Sequence, residues 1–172
     1  MKPFIGIKKI WYGNVFTEAV TKASLKTWLE SATQVKNSHQ DTWQYTEDDP
    51  TYTDYINELS GNIYYRDVTQ RGAKTITFTM GEYTFDDKID LQGGEKVDTD
   101  AGWSASDTPG IMNKGIVGQT KTGNYVVFTN AAVIAKGTMA EKNIGLGVTA
   151  VAMENPNDNV KSDYLFDGEK VG

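Results

Sequence analysis

Two groups of aspartates have the spacing and the hard oxygen atoms that a calcium ion prefers. Asp98-Thr99-Asp100 repeats the opening carboxylates of a calcium-binding loop, and Asp86-Asp87 with Asp90 forms the second group. The first group departs from a calcium loop at its twelfth position, because Pro109 stands where such a loop has its closing glutamate. Ordinary loop polarity is the competing explanation of both groups, and we predict no metal ion and no other cofactor.

Residue types that serve as nucleophiles or general bases are scarce in this chain. It has no cysteine, which removes a thiolate nucleophile, disulfides and Cys-ligated zinc. The single histidine, His39, lies in a polar run, and we expect it to be solvated rather than a general base. The 23 acids offer a carboxylate pair for glycoside hydrolysis, although the sequence does not indicate which would face each other. We therefore expect no enzyme, with a two-carboxylate hydrolase as an alternative.

The four tryptophans and nine tyrosines suit either an aromatic sugar-binding platform or structural packing. They are spread along the chain, and aromatic residues at this density serve as core residues and interface anchors. We favour packing and interfaces. A monomeric β-sandwich module that binds carbohydrate or acts as an adhesin is the alternative function.

Charge is distributed unevenly along the chain. Residues 1–40 contain six lysines and two acids, whereas residues 41–65 contain six acids and no basic residue. The net charge of −6 argues against a basic nucleic-acid-binding surface, since phosphate contacts need clustered Lys and Arg. The uneven distribution is explained either by two solvated faces or by a head-to-tail contact in which the basic patch of one copy meets the acidic segment of the next.

For such a contact between copies we predict five interface residues. Lys8 and Lys9 would supply the basic side, and Asp48 and Asp49 the acidic side. Tyr52 follows the acidic pair and is predicted as an anchor, since tyrosine is frequent among the residues that dominate interface energies.

The elements that must position these residues are predicted to be mainly β. The chain has 24 Val plus Ile and 20 Thr against 6 Leu, and β-branched residues favour strands. The clearest strand is Thr75–Met80, in which threonines alternate with apolar residues. Other predicted strands cover residues 5–12, 33–35, 42–46, 63–65, 125–129, 131–138, 144–153 and 164–166, with the Thr75 strand continuing to residue 85.

One helix is predicted after Ser24, which we expect to cap it, because apolar residues recur from Leu25 to Ala32 at helical spacing. Residues 52–59 fit a helix or a strand, and residues 86–91 are ambiguous. Residues 93–122 are rich in Gly, Asp, Ser and Thr and are predicted as a long loop excursion from a single domain of residues 1–172. No run approaches the 18 apolar residues of a membrane span, and no membrane partner is expected.

Several short segments of the sequence, in their order along the chain, match the arrangement found in a known family. They are Ala32–Asn37, Asp41–Tyr45, Glu47–Thr51, Lys74–Thr79, Leu91–Gly94, Val126–Ala131 and Ile144–Met153. In this layout the chain resembles the bacteriophage tail tube (major tail) proteins of phages and prophages. The likeness covers most of the chain. It rests on the residues and the order of these segments rather than on an invariant motif.

The resemblance implies a phage tail-tube-like fold, mainly β, with a β-sandwich or small barrel flanked by one α-helix. It implies that copies self-assemble into hexameric rings, whose sheets join into an inner β-barrel, and that the rings stack into a conduit for DNA. The implied partners are further copies of the chain, other tail proteins and DNA that passes through the lumen without specific binding. The implied location is the virion tail, after synthesis in the cytoplasm of the bacterial host.

The same resemblance suggests which residues line the conduit. Thr75, Thr77 and Thr79 are expected to face the lumen, because short uncharged hydroxyl side chains offer few strong contacts to phosphate. The long excursion of residues 93–122 departs from a minimal tube fold, and contact with the adjacent ring is one role implied for it. No catalytic residue follows from the resemblance.

Overall fold

A computed structural model describes residues 1–108 and 110–172, and it confirms a mainly β protein with antiparallel sheets and a few helices. Pro109, on which part of the calcium-loop argument rested, lies outside the described residues. The strands are β1 (Lys9–Gly13), β2 (Thr33–Gln34), β3 (Gln44–Glu47), β4 (Thr51–Ile56), β5 (Ile63–Gln70), β6 (Lys74–Met80), β7 (Glu95–Val97), β8 (Gly102–Ser104), β9 (Met112–Gln119), β10 (Tyr125–Ala140), β11 (Asn143–Ala152) and β12 (Asp163–Phe166).

The described residues form three helices, where the sequence predicted one. They are α1 (Lys22–Ser31), α2 (Phe85–Gln92) and α3 (Gly168–Val171). The predicted cap of α1 is wrong by one turn: Thr21 is the N-cap, and Ser24 is the third helical residue of a reciprocal capping box. Thr84 and Asp87 form the same box at α2, so the strand predicted to continue to residue 85 ends at Met80.

One large antiparallel sheet has the strand order β2-β1-β9-β10-β11-β6-β3. The long strand β10 has a bulge between Phe128 and Ala131, where its neighbour changes from β12 to β11. The break between the predicted strands of residues 125–129 and 131–138 is therefore a bulge within one strand. The gap between the predicted strands of residues 131–138 and 144–153 narrows to Glu141-Lys142, because β10 and β11 pair as far as Ala140 and Asn143.

The inner face of this sheet contributes to a single contiguous core. Its fully buried residues come from both ends of the strand order, which requires the sheet to curve around them. Leu91 of α2 is buried in the same core. The largest fully buried members are Tyr12, Ile76, Phe78, Met80, Leu91, Ile116, Phe128, Leu146 and Val133.

A second, smaller core lies on the outer face of one half of the sheet. There α1 packs on β1, β9 and the first part of β10, with Leu25 fully buried against Trp11, Val117 and Val127. Phe16 and Trp28 stack with ring centroids 4.6 Å apart. We call this part, together with β2 and β12, the covered half. The remainder (β11, β6, β3 and β10 from Ala131) is the open half.

The prediction of a long loop excursion over residues 93–122 is wrong for the second part of this segment, which contains a strand of the large sheet. Residues Met112–Gln119 form β9, which pairs with β1 on one side and β10 on the other. The glycines that made this segment resemble a loop lie where aromatic rings cover the strand. A Cβ at Gly115 would be 2.9 Å from the Trp28 ring, and one at Gly118 would be 2.7 Å from the Trp43 ring.

Candidate assembly surfaces

The outer face of the open half is not covered by any helix of the described chain, and it is almost free of charge. Fifteen outward positions follow from the strand registers, and fourteen of them are uncharged. Lys136 is the single charged residue among them. These positions are Gln44, Thr46, Thr75, Thr77, Thr79, Ala132, Ile134, Lys136, Thr138, Ala140, Asn143, Gly145, Gly147, Thr149 and Val151. We call this surface the neutral face.

The structure puts the three predicted lumen threonines on the neutral face but not at equal depth. Thr75 and Thr77 are half-buried, whereas Thr79 is only 8% exposed. The Thr79 methyl lies over Gly145, and its backbone bonds to the neighbouring segment: its N–H donates to Thr42 Oγ1 (3.0 Å), and its carbonyl accepts from the His39 N–H (2.7 Å). Thr79 therefore does not contribute an open surface in this chain.

The sheet ends in two short edge strands, and exposed residues of opposite charge lie beside its two ends. β2 has two residues and β3 has four, and within the described residues no further strand pairs with either outer edge. Lys8 and Lys9 are exposed at the β1–β2 end, and the ammonium of Lys9 lies 5.9 Å from the centre of the Trp11 ring. Asp48 and Asp49 are exposed immediately after β3.

The five predicted interface residues thus lie at the two opposite ends of one sheet. In the strand order β1, β9, β10, β11 and β6 separate β2 from β3, and among the described residues no ion pair joins Lys8 or Lys9 to Asp48 or Asp49. The Asp48 N–H donates to the carbonyl of Ala73 (2.9 Å). This bond fixes the acidic residues at the point where the chain leaves the large sheet after β3. This placement is compatible with a contact between copies, in which complementary ends meet.

β4 and β5 pair only with each other and form an exposed hairpin, which we call the arm (residues 51–70). Every residue of both strands is exposed. The alternative of a helix over residues 52–59 is wrong, and the strand predicted at residues 63–65 continues to Gln70. Eight large apolar side chains of the arm are exposed: Tyr52, Tyr55, Ile56, Leu59, Ile63, Tyr64, Tyr65 and Val68.

Contacts within the arm fix its shape without covering it. Arg66 donates two hydrogen bonds to the Asp54 carboxylate, at 2.6 and 3.0 Å, and its guanidinium lies 4.8 Å from the centre of the Tyr52 ring. The hydrogen bond from Arg66 lowers the pKa of Asp54 below its usual value. Tyr55 and Tyr65 approach to 5.8 Å on the other face. A two-stranded hairpin on its own is marginally stable in water, so these side chains favour a partner.

The fold brings the two aspartate groups together around a lysine. The Lys96 ammonium lies 2.7 Å from Asp86 and 2.6 Å from Asp100, the position a cation would take between them. The hydrogen bonds to Asp100 and Asp86 raise the pKa of Lys96, so it stays charged. In residues 1–108 and 110–172 no three His, Asp or Glu side chains converge as a metal site would require.

The rest of the second aspartate group supports the fold. The buried hydroxyl of Tyr12 donates to Asp87 at 2.6 Å and lies 3.2 Å from Asp90. Burial, followed by the hydrogen bond to Asp87, raises the pKa of Tyr12 well above its usual value. Asp87 also accepts from the Thr84 N–H (3.1 Å). These carboxylates therefore join α2 to β1.

The hairpin β7–β8 is attached to α2 by a second set of contacts. Trp103 donates from its indole N–H to the carbonyl of Gly93 (2.9 Å), and its ring lies 4.3 Å from the Lys88 ammonium. Lys88 donates to Gln92 (2.8 Å), and burial lowers its pKa. We call β7–β8 with these contacts the latch.

His39 lies near a carboxylate, and the four tryptophans are packed against other parts of the fold. His39 Nε2 lies 3.8 Å from the Glu141 carboxylate, which is itself exposed. Trp11, Trp28 and Trp43 pack against the two cores, and Trp103 belongs to the latch. Exposed aromatic side chains are instead concentrated on the arm, of which only Tyr52 was predicted as an anchor.

A cleft of about 1160 Å³ opens beside the root of the arm. At its wall, Lys74 donates to Asp163 at 2.7 Å and lies 3.7 Å from Glu47, and the hydrogen bond to Asp163 raises the pKa of Lys74. The described residues that line this cleft include no tryptophan and no tyrosine, so it offers no ring for a sugar to stack on.

Comparison with known proteins does not assign this chain to a family. A scan against family models finds no match to the chain, and a search of curated proteins finds no significant relative. None of the helices in the described ranges has the length and apolar character needed to cross a bilayer. The class that the structure itself defines is a mainly β, antiparallel protein with a neutral sheet face, two charged edges and an exposed arm.

Proposed function

We propose that this protein is a structural subunit of a phage or prophage tail tube. In this proposal the curved sheet is the tail-tube-like sandwich or barrel, copies join laterally into hexameric rings, and stacked rings conduct DNA. The single observation that carries the proposal is the sheet itself, which combines one neutral face with two edges of opposite charge. The role is architectural, so no catalytic residue is proposed.

The neutral face supports the part of the proposal that concerns DNA. A conduit for a polyanion works best when its wall offers few cations, because each Lys or Arg contact to phosphate adds affinity that slows passage. Thr75, Thr77 and Thr149 are adjacent across β6 and β11 and present only hydroxyls and methyl groups. We propose Thr75 and Thr77 as lumen residues and omit Thr79 because it is buried.

The edges support lateral assembly. An unpaired edge strand can accept a strand from another chain, and closure into a ring removes all free edges. Opposite charges on the two ends favour a head-to-tail contact, which closes into a ring when its rotation permits. Other tail proteins and a location in the virion tail follow from the same proposal.

The test is the size of the assembly. Concentrated purified protein is expected to give hexameric rings or tubes by native mass measurement and negative-stain electron microscopy. Replacing Asp48 and Asp49 by lysine should shift the protein to smaller species, because two attractive contacts per interface become repulsive. The double change of Lys8 and Lys9 to glutamate in the same chain should restore assembly. A wild-type protein that stays monomeric at high concentration refutes the proposal.

A second candidate function rests on one observation. Tyr55 and Tyr65 present neighbouring exposed rings on the arm, as a sugar-stacking platform does. In this alternative the chain is a monomeric carbohydrate-binding or adhesin-like module. Binding on a glycan array that is lost in Tyr55→Ala, together with a monomeric mass, would favour it over the tube.

A further inference from the structure

Apart from Tyr52, which was assigned to the lateral contact, the arm is not used by lateral assembly, and it is the strongest remaining feature. Eight of the eighteen large apolar side chains that are exposed on the described surface lie within its twenty residues. Leu59 at the tip is 98% exposed. Surface apolar residues scattered singly are normal in soluble proteins, whereas a dense group on both faces of a thin hairpin marks an interaction site.

A second apolar group lies at the opposite end of the same strands. Met139 and Ile144 are a directly opposed pair at the end of the β10–β11 hairpin, and they are 62% and 67% exposed. Both side chains lie on the same face of the sheet as the core residue Leu146, but they are positioned beyond the end of the core. We call residues 136–144 the turn pole.

The registers show that the arm and the turn pole leave opposite ends of β6. Glu47, after which the arm begins, pairs with Lys74 at the start of β6. Leu146, which leads to the turn pole, pairs with Met80 at the end of β6. The strand between these ends is seven residues long, a distance of about 20 Å. The two apolar groups are therefore at opposite poles of the open half.

The charges of the two poles are complementary. The arm has three acids and one arginine, a balance of −2, whereas the turn pole has two lysines and one glutamate, a balance of +1. Neither Lys136 nor Lys142 forms an ion pair with another described residue. Complementary charge adds orientation to an apolar contact.

We infer that the arm of one copy binds the turn pole of the next copy along the tube. This inference rests on the proposed tail-tube function and names the surfaces of its axial contact, which is separate from the lateral contact at the charged edges. Because the two surfaces differ and lie at opposite poles, the contact is heterologous and repeats without limit in one direction. Burial of both faces of the arm would also stabilise a hairpin that is marginal alone.

The absence of cysteine allows a direct test by cross-linking. Leu59→Cys and Ile144→Cys are made separately and together, and the assembled protein is treated with a short bismaleimide linker. The double variant is expected to give a ladder of covalent multimers, and each single variant is expected to stay uncoupled. Coupling of Leu59→Cys alone would show that arms meet arms, and the inference would then be wrong. An uncoupled double variant within intact tubes would also overturn it.

A second measurement separates this inference from the proposed function. Met139→Ser with Ile144→Ser should raise the concentration needed for stacking by at least about tenfold while single rings persist, because two apolar side chains lose their burial. Leu165→Ser is the matched control, since Leu165 is 58% exposed but lies on β12, and it should leave stacking unchanged. Unchanged stacking in the pole variant overturns the axial contact alone. Absence of rings in the wild-type protein overturns the tail-tube proposal as well.

Discussion

Replacement of Tyr12 by phenylalanine tests how α2 is joined to the sheet. Tyr12 is 2% exposed, and its hydroxyl donates the 2.6 Å bond to Asp87. Phenylalanine keeps the ring but removes the hydroxyl that donates to Oδ1 of the buried Asp87 carboxylate, whose Oδ2 still accepts from the Thr84 N–H. A hydrogen bond to a charged group contributes about 1.5–3 kcal/mol, so we expect the free energy of unfolding at pH 8 to fall by that amount. For a chain of this length the melting temperature should drop by about 3–12 °C.

The pH dependence gives a sharper version of the same test. Folded Tyr12 has a raised pKa, whereas the unfolded residue titrates near pH 10. Above that pH the folded state binds more protons than the unfolded state, so stability must fall as pH rises. For one group the slope is about 1.4 kcal/mol per pH unit. A phenylalanine ring has no proton to lose, so the advantage of the wild type over Tyr12→Phe should shrink from pH 10 upward.

The assay is urea unfolding followed by tryptophan fluorescence between pH 8 and pH 11. Tyr64→Phe is the control, because Tyr64 is 69% exposed on the arm and should change stability by less than about 0.5 kcal/mol. The reasoning fails if Tyr12→Phe is as stable as the wild type at pH 8. It also fails if the difference between the two proteins stays constant up to pH 11.

Two further predictions concern the latch and the glycines under aromatic rings. Lys96→Met should free the β7–β8 hairpin, because Asp86 and Asp100 lose their shared cation and repel each other. Limited proteolysis should then cut the variant within residues 95–108 faster than it cuts the wild type. Equal rates of cutting would contradict this contact. Gly118→Leu should lower the free energy of unfolding by about 1–3 kcal/mol, since the new side chain meets the Trp43 ring. Gly137→Leu is its control, because a Cβ there meets open space, and an equal loss in both variants would contradict the argument.

The sequence predicts best the strands whose pattern is set by the core they face. In β6 the residues Ile76, Phe78 and Met80 are all buried, as the alternation with threonine predicts. The same holds for Val148 and Ala150 of β11. A period of two is a local signal, and where one face is buried it suffices to identify a strand.

The failures arise where a distant residue decides the local structure. β9 resembles a loop because Gly115 and Gly118 interrupt it, yet those glycines are required by Trp28 and Trp43, which approach from other parts of the chain. β4 has apolar residues at helical spacing, and only pairing with β5 makes it a strand. Local propensity is a weak signal when long-range pairing outweighs it.

The contact between the two aspartate groups was not predicted, for a related reason. The sequence shows Asp86 and Asp100 as members of separate groups and gives no indication that Lys96 lies between them. In the same way, charge counts predicted a basic and an acidic patch, but only the strand order reveals that Lys8 and Asp48 occupy opposite ends of one sheet. Composition can indicate that two surfaces exist, whereas topology shows which strands they lie beside.

The distribution of charge is the argument that connects these features. A sheet face that meets bulk water in a solitary domain usually has interspersed charges, since charged side chains keep such surfaces from associating. Here the neutral face has one charge in fifteen outward positions, while Lys8, Lys9, Asp48 and Asp49 lie at the two ends of the sheet. Charge is thus nearly absent from the broad surface and present where one copy would meet the next. That arrangement suits a subunit whose neutral face is enclosed by its own assembly, and it gives a solitary binding module no comparable advantage.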